Sequence, residues 1–249
     1  MASGQLTFRL LRDPPCAGAW NMALDEALLH SAAETGIGTV RLYAWREPTI
    51  SLGYFQPLAA REEHAASRNC AIVRRATGGG AIIHDRELTY SISVPVAARW
   101  SPAAAAWYSI AHEAWIAVLS ELGLQGERCM ATEKREQEPF LCFQRRATGD
   151  VLVGGEKIVG SAQRRHLGGL LQHGSVLIGR SPAAPELPGI ADLAGQNVEY
   201  DFLAARWLET LSAKLGCRWS HDEPTPAELS IANRLQEEKF GHDSWLRKR

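Results

Sequence analysis

The feature that most restricts this chain is a run of three glycines between two β-prone stretches, in the segment RRATGGGAIIHD over residues 74–85. Glycine loses more backbone entropy on folding than any other residue, so an ordinary hairpin rarely carries three in succession. Gly78, Gly79 and Gly80 permit positive φ and let backbone N–H groups approach a ligand closely, which makes an anion-binding nest. Arg74 and Arg75 stand beside it as cationic donors. The spacing matches neither a Walker loop nor a Rossmann fingerprint. A glycine-rich turn with two surface arginines is the plain alternative. For His84, at the end of the segment, a hydrogen-bonded structural role outweighs a ligand role.

The surrounding pattern points to a mixed sheet. Residues 39–45 and 49–54 read as short strands about a turn at 46–48, and residues 70–74 and 81–84 as strands flanking the glycine loop. Residues 88–94, LTYSISV, alternate as a strand with one buried face does. Gly154-Gly155 joins 151–153 to 157–162 as a hairpin, and 170–178 supplies a further strand. Helical patterns cover 21–34, with Asn21 as N-cap and Asp25 and Glu26 in its early turns, then 58–67, 101–122, 198–215 and 225–239. Residues 127–146 are polar and irregular, a long loop of the kind that often carries function. Residues 181–188 form a Pro-rich connector. Strands punctuated by helices, without regular strand–helix alternation, predict an α+β fold with a mixed, largely antiparallel sheet flanked by helices. No boundary splits residues 1–249, so the expectation is a single domain, with about 182–249 as a helical C-terminal extension.

Composition removes several function classes. Lys and Arg number 27 against 28 Asp and Glu, so no basic field exists to hold a phosphate backbone, and nucleic acid is not an expected partner. The most apolar stretch, 101–122, contains His112, Glu113 and Glu121 and is not read as a membrane span. Residues 1–15 lack the basic, apolar and small-residue parts of a secretory signal. The five cysteines, Cys16, Cys70, Cys129, Cys142 and Cys217, are odd in number and widely spaced. With no Cys-x-x-Cys pair they suggest neither a zinc site nor a disulfide framework. A reducing, cytoplasmic setting without a bound metal is expected.

Residues 74–85 resemble the signature of the lipoate–protein ligase and biotin–protein ligase superfamily, in its lipoyl branch. NMALDEALL from Asn21, REPTISLGYFQP from Arg46, and GGEKIVGSAQRR with LLQHGSVLI between Gly154 and Ile178 agree in order. The resemblance implies a biotin/lipoate ligase-like catalytic domain, of the fold shared with class II aminoacyl-tRNA synthetases.

That family contains two chemistries. Lipoate ligases use ATP to form an acyl-adenylate, whereas cysteine-dependent octanoyltransferases move octanoate from acyl carrier protein through a thioester. Both acylate a lysine of a lipoyl domain. The stretch CFQRRATGDVLVGGEKIVGSAQRR is similar to the octanoyltransferase pattern whose leading cysteine is the nucleophile, and it places Cys142 fifteen residues before Lys157. A thiolate exchanges acyl groups with another thioester at little thermodynamic cost, and a nearby ammonium lowers its pKa. HDRELTYS from His84 also resembles the transferases. The tail beyond the last matching motif is short, whereas many ligases use a larger accessory domain. Gly80 as a third glycine and Asp150 in TGDVLV are more ligase-like.

The resemblance thus implies octanoyl transfer from octanoyl-acyl carrier protein to a lipoyl domain, whether of a glycine-cleavage carrier protein or a dehydrogenase E2 subunit. Cys142 and Lys157 are the expected catalytic pair, with Arg145 and Arg146 adding positive potential. Arg75, Gly78, Gly79, Gly80 and His84 are expected to wall the acyl and carbonyl end, opposite Gly160, Ser161 and Ala162. No cofactor is expected; ATP and Mg belong to the ligase alternative. A non-catalytic lipoyl-binding module, a biotin ligase and a relay between two lipoyl domains stay open as other readings.

Overall fold

An eight-stranded sheet runs through the centre of the molecule, described by a computed structural model for residues 6–98, 101–133 and 136–249. In chain order the elements are β1 (Leu6–Arg12), α1 (Gly18–Thr35), β2 (Thr39–Tyr43), β3 (Thr49–Leu52), β4 (Ala71–Arg74), β5 (Ile82–His84) and β6 (Glu87–Pro95). There follow α2 (Ala104–Glu121), β7 (Gly126–Arg128), β8 (Val151–Val153), β9 (Glu156–His166) and β10 (Gly169–Leu177). The chain then forms α3 (Ile190–Ala194), α4 (Tyr200–Leu215), β11 (Cys217–His221), α5 (Pro226–Leu235) and α6 (Asp243–Leu246). The main sheet has the order β11-β1-β2-β6-β10-β9-β8-β7, and a small sheet has the order β4-β3-β5. β1 pairs in parallel with β2 and β11, and every other pairing of the main sheet is antiparallel.

Helices cover both faces of the main sheet, which explains a departure from the sequence pattern. Leu88, Tyr90, Ile92 and Val94 of β6 enter the core under α2 and α4, where Trp115 and Trp207 stack with centroids 5.3 Å apart. Thr89, Ser91 and Ser93 point the other way, yet they are buried too. Their side of the sheet is packed by α1, and the Ser91 hydroxyl donates to Asp25. The alternation in LTYSISV therefore marks two different buried environments, rather than core and solvent.

Other local expectations shift for similar reasons. α1 begins at Gly18, three residues before Asn21, which lies inside the helix and accepts from Arg41 while donating to the Ala44 carbonyl. Residues 58–67 form two short 3-10 helices instead of one α-helix. Strands 39–45 and 49–54 do not make a hairpin, because β2 joins the main sheet and β3 the small one. The loop at 127–146 is broken by the end of β7 and a 3-10 turn at Cys142–Gln144, and residues 134 and 135 lie outside the described residues. Residues 1–5 of the N-terminal segment also lie outside them. The stretch 182–249 is not helical throughout: β11 extends the main sheet beside β1, and α5 packs on α1. Among the described residues, no helix is long and apolar enough to cross a membrane.

Candidate active site

The small sheet exists to hold the glycine loop against the main one. β4 leads into the loop and β5 leaves it, with Ile50, Leu52, Ala81 and Ile83 packed on Phe140, Leu141 and Phe143. The far end of the long loop is hydrogen-bonded to the same segment. Ala81 N–H donates to the Phe140 carbonyl (2.9 Å), and Cys142 N–H donates to the Ala81 carbonyl (2.7 Å). Cys142 then opens a 3-10 turn over a cavity of about 400 Å³. A volume of that size suits a small-molecule or acyl ligand, for which sites of roughly 300–1,000 Å³ are usual.

Sequence-derived candidates converge on this cavity. Arg75, Gly78, Gly79, His84, Cys142, Lys157, Gly160, Ser161 and Ala162 all line it. Gly80 does not. A Cβ there would meet the Arg145 guanidinium and fall 3.0 Å from the Cys142 nitrogen, so Gly80 instead lets the Cys142 turn approach the loop. Of the three glycines only Gly79 has a left-handed φ, +96°. Across the cavity, Gly160 is required by close approach, since a Cβ would stand 2.6 Å from Lys157 Cε.

Lys157 Nζ lies 3.6 Å from Cys142 Sγ and 2.8 Å from Asp150 Oδ2. Burial pushes the Cys142 thiol up, but the Lys157 ammonium and then the Arg75 guanidinium outweigh it, so its pKa lies below the ordinary thiol value. Arg145, ion-paired with Glu138, adds a smaller pull, and Asp150 opposes. Burial pushes Lys157 down, yet Cys142 and Asp150 together raise it, which keeps the ammonium charged. The Lys157 ammonium therefore faces the sulfur as a positive charge.

Arg75 is almost fully buried, and its guanidinium donates to the carbonyls of Ser51, Gly78 and Gly80. Its Nε has no hydrogen-bond partner among the described residues. Burial lowers its pKa to about 10, still cationic at neutral pH. Beside it, His84 stacks on Trp45 at 3.8 Å, faces Glu87 with Nδ1 (3.2 Å) and Ser51 Oγ with Nε2 (2.8 Å). A carboxylate only accepts, so Nδ1 carries the proton. Burial holds the ring below the usual histidine range, and therefore neutral. His84 has the hydrogen-bonded structural role expected from sequence, and it also lines the cavity.

Four contributors were not singled out as site residues. His173 spans Thr77 of the glycine loop (2.7 Å) and Asp25 of α1 (3.4 Å) at the cavity floor. Asp150 grips Lys157, and Tyr108 and His112 of α2 contact the segment around it. The hairpin register was the available signal for Asp150. Val151 pairs with Val159 and Leu152 with Lys157, which sets the residue before β8 opposite Gly160, three residues past Lys157 in β9. Nothing in local sequence pointed to the other three.

Comparison with known proteins gives a consistent picture. Residues 17–184 match the model of the lipoyl protein ligase A/B catalytic domain. Octanoyltransferase LipM of Kyrpidia tusciae is 34% identical, with 96% of this chain and 98% of that protein covered. Octanoyltransferase LipM of Bacillus subtilis is 30% identical, with 98% and 99% covered. Among solved structures, the bi-partite lipoate protein ligase of Thermoplasma acidophilum superposes with a TM-score of 0.75 at 21% identity, covering 97% of this chain and 96% of that one. A lipoate-protein ligase A bound with ATP gives 0.80 at 22% identity, covering 97% and 99%.

Proposed function

The chain belongs to the lipoyl protein ligase A/B catalytic domain family, and from that premise we propose that it is an octanoyltransferase of protein lipoylation working through a Cys142 thioester. Near full-length relatedness to octanoyltransferases supports the acyltransferase reading. The observation that carries the cysteine route is the Cys142 sulfur 3.6 Å from the Lys157 ammonium inside the cavity. We take octanoyl-acyl carrier protein as donor and a lipoyl-domain lysine as acceptor. A thiol that must stay free fits a reducing compartment, which we take to be the cytoplasm.

In the first half-reaction the Cys142 thiolate attacks the donor thioester carbonyl, and a new C–S bond forms. The oxyanion collapses, the old C–S bond breaks, and the donor thiolate leaves to take a proton from solvent. The Lys157 ammonium and the unpartnered Arg75 Nε–H are the donors available for the developing negative charge. In the second half-reaction a neutral lipoyl lysine attacks the Cys142 thioester, loses a proton to solvent, and releases the thiolate. No nucleotide enters, because the thioester already carries the activation.

The test is mass spectrometry of the protein after incubation with octanoyl-acyl carrier protein. An octanoyl adduct on Cys142 that disappears on adding a lipoyl domain is expected. An acyl-adenylate formed from free octanoate and ATP, with no adduct from the carrier thioester, would overturn the reading.

A further inference from the structure

We infer that His112 is a positioning residue for the Cys142–Lys157 pair, fixing through one neutral imidazole both the segment that carries Asp150 and the cavity-wall strand that carries Ser161. The inference rests on the transferase reading for its reaction, though its geometry does not. His112 lies on α2, is fully buried, and does not line the cavity.

The direction of its hydrogen bonds follows from chemistry. Nδ1 lies 2.7 Å from the Gly149 carbonyl oxygen. A carbonyl can only accept, so the ring proton sits on Nδ1. Nε2 lies 2.7 Å from Ser161 Oγ and, on a neutral ring, must accept the serine proton. Tyr90, whose hydroxyl is 2.6 Å from Ser161 Oγ, then donates to Ser161. The bonds run one way, from Tyr90 to Ser161 to His112 to Gly149. Burial lowers the His112 pKa to about 4, which preserves that order at neutral pH.

The consequences reach the sulfur. Gly149 C=O and Asp150 N–H share one peptide plane, so anchoring the carbonyl orients Asp150. Asp150 in turn holds Lys157 at 2.8 Å. One helical turn before His112, the Tyr108 hydroxyl donates to Asp150 Oδ1 (3.3 Å). Two residues on one face of α2 therefore hold the Gly149–Asp150 segment, and His112 alone ties it to Ser161. Asp150 is also bonded to Ala147 and Cys129, so loss of the His112 bond leaves it in place but releases the tilt of the Gly149–Asp150 peptide. The carboxylate then shifts, draws Lys157 from Cys142, and weakens the main stabiliser of the thiolate. The clamp also commits the Ser161 hydroxyl proton inward, so an acyl chain meets no unsatisfied donor at that wall.

The experiment separates the two ends of the ring. His112→Asn keeps an N–H where Nδ1 was and can still bond Gly149. His112→Gln reaches Ser161 and loses Gly149. Cys142 alkylation by iodoacetamide is followed against pH in the full-length chain, beside single-turnover acylation by octanoyl-acyl carrier protein. His112→Gln is expected to slow alkylation at neutral pH by about tenfold, with recovery at alkaline pH, because the thiolate fraction falls. His112→Asn is expected to keep the wild-type thiol pKa. Equal thiol pKa values in wild type and His112→Gln would overturn the inference, as would equal losses in both variants, which mark simple packing. A second readout needs no variant: histidine ¹⁵N spectra should show His112 neutral with its proton on Nδ1, and a ring titrating near the ordinary value of about 6.5 would overturn it. Failure of wild-type Cys142 to accept any octanoyl group would sink the transferase reading while leaving the alkylation result to decide the role of His112.

Discussion

Arg41 and Arg75 are both buried guanidiniums, 0% and 2% exposed, and they are compensated in opposite ways. Arg41, on β2, pairs with Asp13 at 2.6 Å and Asp25 at 2.8 Å, bonds Asn21 twice, and lies over the Tyr43 ring. Burial pushes its pKa down, but the two carboxylates more than restore it. Arg75, beside the glycine loop, is held by carbonyls and the Ser51 hydroxyl, with no ion-paired carboxylate among the described residues. The group facing it is the Cys142 sulfur, whose charged form would favour the cationic arginine. A buried charge is costly unless paired. Where the protein supplies the counter-charge itself, the arginine is part of the framework. Where it does not, the position is open to a negative charge from outside the framework, as the proposed Cys142 route requires.

Removing the sulfur opposite Arg75 should have the largest effect, since Arg41 faces only framework carboxylates. Cys142→Ala is expected to abolish the octanoyl adduct and carrier-to-lipoyl transfer, as read by intact-mass analysis. Full transfer by that variant would dissolve the functional side of the comparison.

A paired experiment on the two arginines should show crossed effects. Arg41→Met strands two carboxylates and is expected to cost about 3–5 kcal/mol in urea unfolding. Arg75→Met should destabilise less, yet lower the acylation rate by about a hundredfold or more, the usual scale for losing a donor to a developing oxyanion. Equal stability losses with equal residual activity would erase the distinction.

Lys157 can be probed more finely. Lys157→Ala should raise the Cys142 thiol pKa, so alkylation and acylation slow at neutral pH and partly recover in alkali. An identical cysteine titration in both backgrounds would remove Lys157 from its role.

The smallest effect concerns acid stability. A histidine held to about pKa 4 when folded and about 6.5 when unfolded binds fewer protons in the native state between those values. Its contribution is complete above about pH 6.5 and is lost as pH falls to about 4, amounting to about 3 kcal/mol. Urea midpoints measured across this window should fall more steeply for wild type than for His112→Asn.

Much of the site was legible locally. Three successive glycines, the fifteen-residue interval from Cys142 to Lys157 and the Gly154-Gly155 hairpin each express a backbone requirement within a few residues of the chemistry. Strand alternation in 88–94 was equally visible, though its polar side proved to be buried against α1. The edge strand β11 and its neighbour β1 were not. They lie more than 200 residues apart and pair in parallel, with β1 held on its other side by β2, an event that local periodicity does not encode.

The sequence by itself determined the candidate reactive groups and most of the elements that carry them, because turn chemistry, periodicity and motif spacing act between near neighbours. Tertiary structure alone decided what each buried charge faces. Asp25 reaches His173 across 148 positions, His112 reaches Ser161 across 49, and Ala81 meets Phe140 and Cys142 through backbone bonds. Desolvation and counter-charge depend on everything packed around a group, so the same residue type becomes a framework ion pair at Arg41 and an open site for negative charge at Arg75.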